Sequence, residues 1–170
     1  LKTDKNGELT VPEVEQTERH GVYIVGYTDG TFGPSRSMTR SEAAAIFARL
    51  LAEKNGDTIS TAANTKFADI PAHAWYSGYV KYLCNNGITY GKSKTIFAPN
   101  DAITRAEFTT MAVRFFDVYG DGDAEIMEQF SGFNDVSSGY WAAEYIKYAA
   151  LHGWINGYGD GSFPADRENK

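Results

Sequence analysis

A turn, an extended aromatic residue, a proline stop and a helix start are packed into Gly26–Glu42 (GYTDGTFGPSRSMTRSE), and this arrangement recurs along the chain. It returns at Gly91–Glu107 (GKSKTIFAPNDAITRAE) and in part at Gly157–Phe163 (GYGDGSF). Gly26, Gly91 and Gly157 lie 65 and 66 residues apart, as do Phe32, Phe97 and Phe163. Thr39 and Thr104 are 65 apart, Phe67-Ala68-Asp69 reappears 66 residues on as Phe133-Asn134-Asp135, and Trp75 reappears as Trp141. Internal repetition of this kind sets the architecture before any single element does.

Each unit reads as two helices joined through an extended piece. Asp-Gly turns suit Gly26–Gly30 and Gly157–Gly161, since glycine takes positive φ without steric cost. Thr39-Arg40-Ser41-Glu42 and Thr104-Arg105-Ala106-Glu107 are capping boxes, in which threonine and glutamate satisfy orphan N–H groups reciprocally. Helical spacing predicts inward faces at Ala43, Ile46, Phe47, Leu50 and Leu51, and at Phe108, Met111, Ala112 and Phe115. Gly56-Asp57 closes the first of these helices. A second kind of helix is aromatic. One carries Trp75, Tyr76, Tyr79, Val80 and Leu83 and ends at Asn85-Asn86-Gly87; its copy carries Trp141, Tyr145, Ile146 and Ala149 and ends at His152-Gly153. The corresponding helix of the first unit, roughly 11–19, starts at Thr10-Val-Pro12-Glu13 and reads as a short, polar, degenerate copy. Repeat one then spans about 9–56, repeat two about 67–119 and repeat three about 133–170 within a single module over 1–170. The third is expected to be incomplete, because Lys170 stands where its capping-box helix would begin.

Composition removes several function classes. A net charge of −6 speaks against a nucleic-acid binder with a broad basic face. No apolar run reaches the ~18 residues of a membrane helix, so no transmembrane segment is expected. No signal peptide is expected within this stretch either, and Leu1 at its start fits a piece of something longer. The lone Cys84, in an aromatic helix, reads as a packing thiol. Asp117, Asp121, Gly122 and Glu128 match four positions of a calcium loop, but Tyr119 stands at the third position and a solvated acidic insert over Asp117–Gln129 is the better reading. His20, His73 and His152 lack metal-ligand spacing, and no pair of acids stands clear of cap or turn roles, so neither a cofactor nor catalysis is expected.

Taken together, the F-x-D, aromatic helix, G-Y-x-D-G-x-F and T-R-x-E elements resemble the S-layer homology family over roughly residues 20–170. The resemblance implies a mainly α fold: three tandem helix–loop–helix repeats around a pseudo-threefold axis, with long loops and short extended segments. It implies non-covalent anchoring at a bacterial cell surface, through secondary cell-wall polysaccharide, often pyruvylated, bound in grooves between repeats. It also implies that the T-R-x-E arginines, Arg40 and Arg105, are the ligand contacts. A guanidinium fork matches a carboxylate, and arginine in a first helical turn opposes the helix dipole, so its recurrence suggests a use beyond helix stability. The competing role for these arginines is an ion pair with an acid such as Asp69 or Asp135, which also read as helix caps and stand with the candidate ligand contacts. Trp75 and Trp141 could stack on sugar or fill the core, and Tyr27 and Tyr158, beside Gly26 and Gly157, could line a groove, as could Gly91. The alternative function is a structural module that contacts other surface-layer proteins or itself.

Overall fold

The computed structural model describes residues 2–3, 9–10, 35–120 and 130–168. The expected helix over 11–19, the first turn at Gly26–Gly30 and residues 121–129 of the acidic insert lie outside the described residues. A two-residue strand β1 (Lys2–Thr3) pairs antiparallel with β2 (Leu9–Thr10). The remaining regular structure is helical: α1 (Arg40–Asn55), α2 (Ser77–Asn85), α3 (Arg105–Tyr119) and α4 (Ala143–Leu151).

α1 and α3 begin where their capping boxes place them. Thr39 N–H donates to Glu42 Oε2 at 2.7 Å and Glu42 N–H to Thr39 Oγ1 at 3.2 Å; Thr104 and Glu107 repeat both bonds at 3.0 and 3.2 Å. Such a cap is worth roughly 1 kcal/mol. Gly56 stops α1 in the left-handed region at φ 69°, as the sequence predicts. The aromatic helices start later than expected. Trp75 and Trp141 lie in the turns before α2 and α4, where they stay 53% and 57% exposed, so neither is a core residue. α3 continues to Tyr119, which makes Asp117 helical and leaves the insert to begin after it.

The larger core lies among α1, α2 and α3. α1 buries Ala43, Ala44, Ala48 and Leu51 completely, with Phe47 set between Phe108 and Phe115 at ring distances of 5.3 and 5.2 Å; Ile46 and Leu50 are only half-buried. Small residues on α1 let its neighbours approach closely, and Val80, Leu83, Ile88, Phe97 and Ile103 fill the space fully. Cys84 packs at the edge of this core, and burial raises its thiol pKa. A smaller cluster of Ala106, Ala142, Ile146 and Phe163 joins α3 to α4.

The F-x-D elements organise the extended pieces. Asp69 carboxylate oxygens accept from Phe97 N–H at 3.0 Å and Ala98 N–H at 2.6 Å, while Asp135 Oδ1 accepts from Phe163 N–H at 2.6 Å. The next residue in that copy, Pro164, has no N–H to give. Phe67 packs on Phe97 at 5.5 Å and Phe133 on Phe163 at 5.1 Å. The repeated glycine sits beneath the first ring of each pair. A Cβ at Gly91 would lie 2.3 Å from Phe67 Cε1, and one at Gly157 would lie 2.5 Å from Phe133 Cε1.

Units are stitched together at the helix starts. Arg40 N–H and Ser41 N–H donate to Asp101 O and Pro99 O at 2.9 and 3.0 Å; Arg105 N–H and Ala106 N–H donate to Arg167 O and Ala165 O, both at 2.8 Å. The acceptors are 66 residues apart, so each helix is completed by the equivalent loop of the following unit. Bridges Thr39–Ala102 and Thr104–Glu168, with Ser37 Oγ donating to Glu168 at 2.7 Å, bring the equivalent segments of all three units together.

Replacing Gly91 or Gly157 by alanine should therefore cost about 2 kcal/mol or more, through a clash with phenylalanine and, at Gly91, an added φ of +84°. Gly139→Ala, which meets nothing within 4 Å, should stay within about 0.5 kcal/mol of the parent. Urea unfolding of the three variants tests this, and equal costs at all three sites would contradict it.

Candidate functional site

A cleft of about 430 Å³ opens between the second unit and the start of the third. Its walls include Arg40 from the start of α1, Thr89–Lys92 after α2, Thr104, Glu107, Thr110 and Arg114 from α3, and Trp141 and Asp166 from the third unit. Recurrence explains this assembly, because α3 is shared: one side packs on α1 and the other on α4.

Arg40 is deeply engaged. It is 4% exposed, its Nε donates to Phe97 O at 2.7 Å, and its Nη1 pairs with Glu107 Oε1 at 2.9 Å. Its guanidinium carbon also lies 5.0 Å from the Phe97 ring centroid. The acid opposite Arg40 is thus the capping-box glutamate of the next unit. Asp69 and Asp135, the partners the sequence offered, are occupied with loop amides. Glu107 serves two helices: Oε2 caps α3 through Thr104 N–H while Oε1 faces Arg40.

Arg105 stands elsewhere, in a more open corner. Its Nη2 donates to Asn156 O at 3.3 Å, and its guanidinium carbon lies 4.2 Å from the Phe163 ring and 5.5 Å from that of Tyr158. Its Nε is buried without a hydrogen-bond partner among the described residues. Tyr158 is 44% exposed and accepts from Arg167 Nη1 at 3.0 Å. Of the expected site residues, Arg40, Gly91 and Trp141 therefore meet in the main cleft, and Arg105 and Tyr158 form a second cluster next to Gly157. Trp75 lies edge-on to Tyr76 and Tyr79, while Gly26 and Tyr27 fall outside the described residues.

Several cleft residues were not singled out in the sequence, among them Tyr90, Thr110, Arg114 and Asp166. Arg114 donates from Nε and Nη2 to Tyr145 Oη at 3.2 and 3.0 Å, and its guanidinium carbon is 4.8 Å from the rings of both Tyr90 and Tyr145. Arg49 and Tyr79 make the same pairing at the preceding junction, between the first and second units, at 3.4 and 3.3 Å. A signal was present, since Arg49 and Arg114 are 65 apart and Tyr79 and Tyr145 are 66 apart. Asp166 Oδ1 accepts from Tyr140 Oη at 2.6 Å, and burial, followed by that hydrogen bond, pushes the phenol up to about 12. Tyr140 therefore keeps its proton at neutral pH. Beside the cleft, Lys92 Nζ pairs with Asp101 at 2.8 Å, and this hydrogen bond lowers the Asp101 pKa.

The S-layer homology domain family model matches residues 10–44, 66–109 and 132–165, three tandem segments. The chain is similar to cell surface glycoprotein 1 of Acetivibrio thermocellus, with 36% identity over 152 residues, covering 85% of this chain and 6% of that protein. It is similar to the cellulosome-anchoring protein of the same organism, 30% identical over 164 residues, covering 95% of this chain and 36% of that protein. The surface-layer 125 kDa protein of Lysinibacillus sphaericus shares 36% identity over 135 residues, covering 79% of this chain and 10% of that protein. The chain thus spans well under two-thirds of the length of each of these relatives.

Breaking the buried pair by Arg40→Met or Glu107→Gln should cost about 3 kcal/mol each, because the partner is left buried and uncompensated. A double-mutant cycle followed by urea unfolding should give a coupling of about 1–3 kcal/mol. Additive losses at these two positions would mean that the pair does not join the units.

Proposed function

The chain belongs to the S-layer homology domain family, and from that membership we propose that it is a non-catalytic cell-surface anchor that binds secondary cell-wall polysaccharide in the cleft between its second and third units. The observation that carries this reading is the make-up of the cleft, where an exposed tryptophan and an exposed tyrosine stand beside arginines. Trp141 is 57% exposed and Tyr90 55% exposed, and both line the same cleft, so a ligand there would cover two large aromatic side chains at once. Aromatic faces accept the C–H face of a sugar ring, and guanidinium groups accept its acidic substituents, a pyruvate ketal among them. The open cleft suits a polymer that enters and leaves along its length.

The relatives point the same way: one is a cellulosome-anchoring protein and others are surface proteins. An anchor needs affinity without turnover, and this cleft supplies contacts rather than a reacting pair. Among the described residues, both cleft acids are engaged, Glu107 with Arg40 and Asp166 with Tyr140. The Arg105–Tyr158 cluster offers a second cation beside a second exposed aromatic, and we assign it a weaker contact along the same polymer.

Sedimentation with purified, protein-free cell walls tests the anchor. The chain should co-sediment with walls that retain the secondary polymer and stay in the supernatant once acid extraction has removed it. Trp141→Ala should lower the affinity about tenfold, in line with the ~1–3 kcal/mol that a stacked ring contributes in comparable settings. Equal sedimentation with extracted walls would remove the polysaccharide reading and favour a protein partner.

A further inference from the structure

We propose that Arg114, outside the repeated T-R-x-E motif, is the residue of the cleft that recognises the acidic group of the wall polymer, and that Arg40 holds the wall in which it stands. This inference rests on the polymer-binding reading above.

Among the described residues, three cationic side chains line the cleft, and two of them already face carboxylates. Arg40 pairs with Glu107 at 2.9 Å and is 4% exposed; Lys92 pairs with Asp101 at 2.8 Å. Arg114 has no carboxylate among the described residues. Its Nε and Nη2 are both spent on a neutral phenol, Tyr145 Oη, and Nη1 has no hydrogen-bond partner among the described residues. A guanidinium carries five donors in a rigid plane, so this arrangement fixes one edge and leaves the other for an incoming acceptor. Tyr90 and Tyr145, each 4.8 Å from the guanidinium carbon, hold the plane in place without neutralising its charge. An arginine fixed in this way has little rotamer entropy left to lose on binding.

A second observation points to a ligand at the same place. Thr110, 4% exposed and one helical turn before Arg114, lines the cleft with a buried Oγ1 that has no hydrogen-bond partner among the described residues. A buried hydroxyl left unpaired is unfavourable, and a sugar hydroxyl in the cleft would complete it. Asp166 is a cleft carboxylate and repels a ligand acid, which leaves the Arg114 side for that group and the Asp166 side for neutral hydroxyls. The ligand class is therefore a saccharide with one carboxylate presented beside free hydroxyls.

The test compares purified secondary wall polymer with the same polymer after carbodiimide-mediated reduction of its carboxylates to alcohols. Binding is read by calorimetry, and folding by circular dichroism melting. The parent chain is expected to prefer the native polymer at least tenfold. Arg114→Gln should bind native and reduced polymer alike, at about the parent's level for the reduced form, and Arg114→Lys should recover part of the preference. Thr110→Val, which keeps shape and needs no partner, should melt no lower than the parent yet bind either polymer severalfold more weakly. A folded Arg114→Gln chain that still prefers native polymer would overturn the assignment while leaving the anchor intact. So would a parent that binds both polymers equally. A parent that binds neither polymer would remove the anchor reading together with this one.

Discussion

The first turn of a helix leaves backbone amides with no partner inside that helix, and this protein meets the need from outside each unit. The amides of Arg40 and Ser41 reach carbonyls that belong to the next unit, and those of Arg105 and Ala106 do the same one period later. A unit cut loose from its neighbour would expose four such donors and carbonyls, beyond what its own capping box covers. The cap stabilises a helix, but the loop of the following copy is what completes it. This makes repetition a physical requirement of the fold.

The buried Arg40–Glu107 pair belongs to the same junction. Desolvating a guanidinium and a carboxylate costs several kcal/mol, and the pair recovers this only with close geometry and further hydrogen bonds. Those bonds are present: Phe97 O takes Arg40 Nε, and Thr104 N–H takes the second Glu107 oxygen. One glutamate therefore reports on the start of its own helix and on the seating of the previous one. Because the pair lies in the cleft wall, the junction that builds the module also shapes the surface on which a ligand would rest. The aromatic residues left open there, Tyr90 and Trp141, come from the turns at either side of the junction.

Several site assignments drawn from residue type alone change once partners are visible. Asp69 and Asp135 look like arginine partners or helix caps in sequence, yet each clamps the amide of a phenylalanine 28 residues on. Gly91 suits close approach of a ligand, yet the space where its Cβ would sit is filled by Phe67. The 65-residue spacing of Arg114 from Arg49 does not say what Arg114 faces. Only when α4 packs on α3 does Tyr145 reach it.

What the sequence by itself determined is whatever depends on short range and on period: the capping boxes, the Gly56 stop, the mainly helical class and the tandem repetition. These follow from φ preferences, hydrogen bonding within four residues and the spacing of like motifs, all of which are local. The inward alanine face of α1 was partly legible, and the start of the aromatic helices was misjudged by two residues because tryptophan beside tyrosine looks like a helical stripe. Tertiary structure alone decided which acid faces Arg40, which tryptophan lines the cleft and which arginine keeps an open edge. Those outcomes depend on contacts between residues tens of positions apart, and charge or aromatic character at one position does not specify its partner.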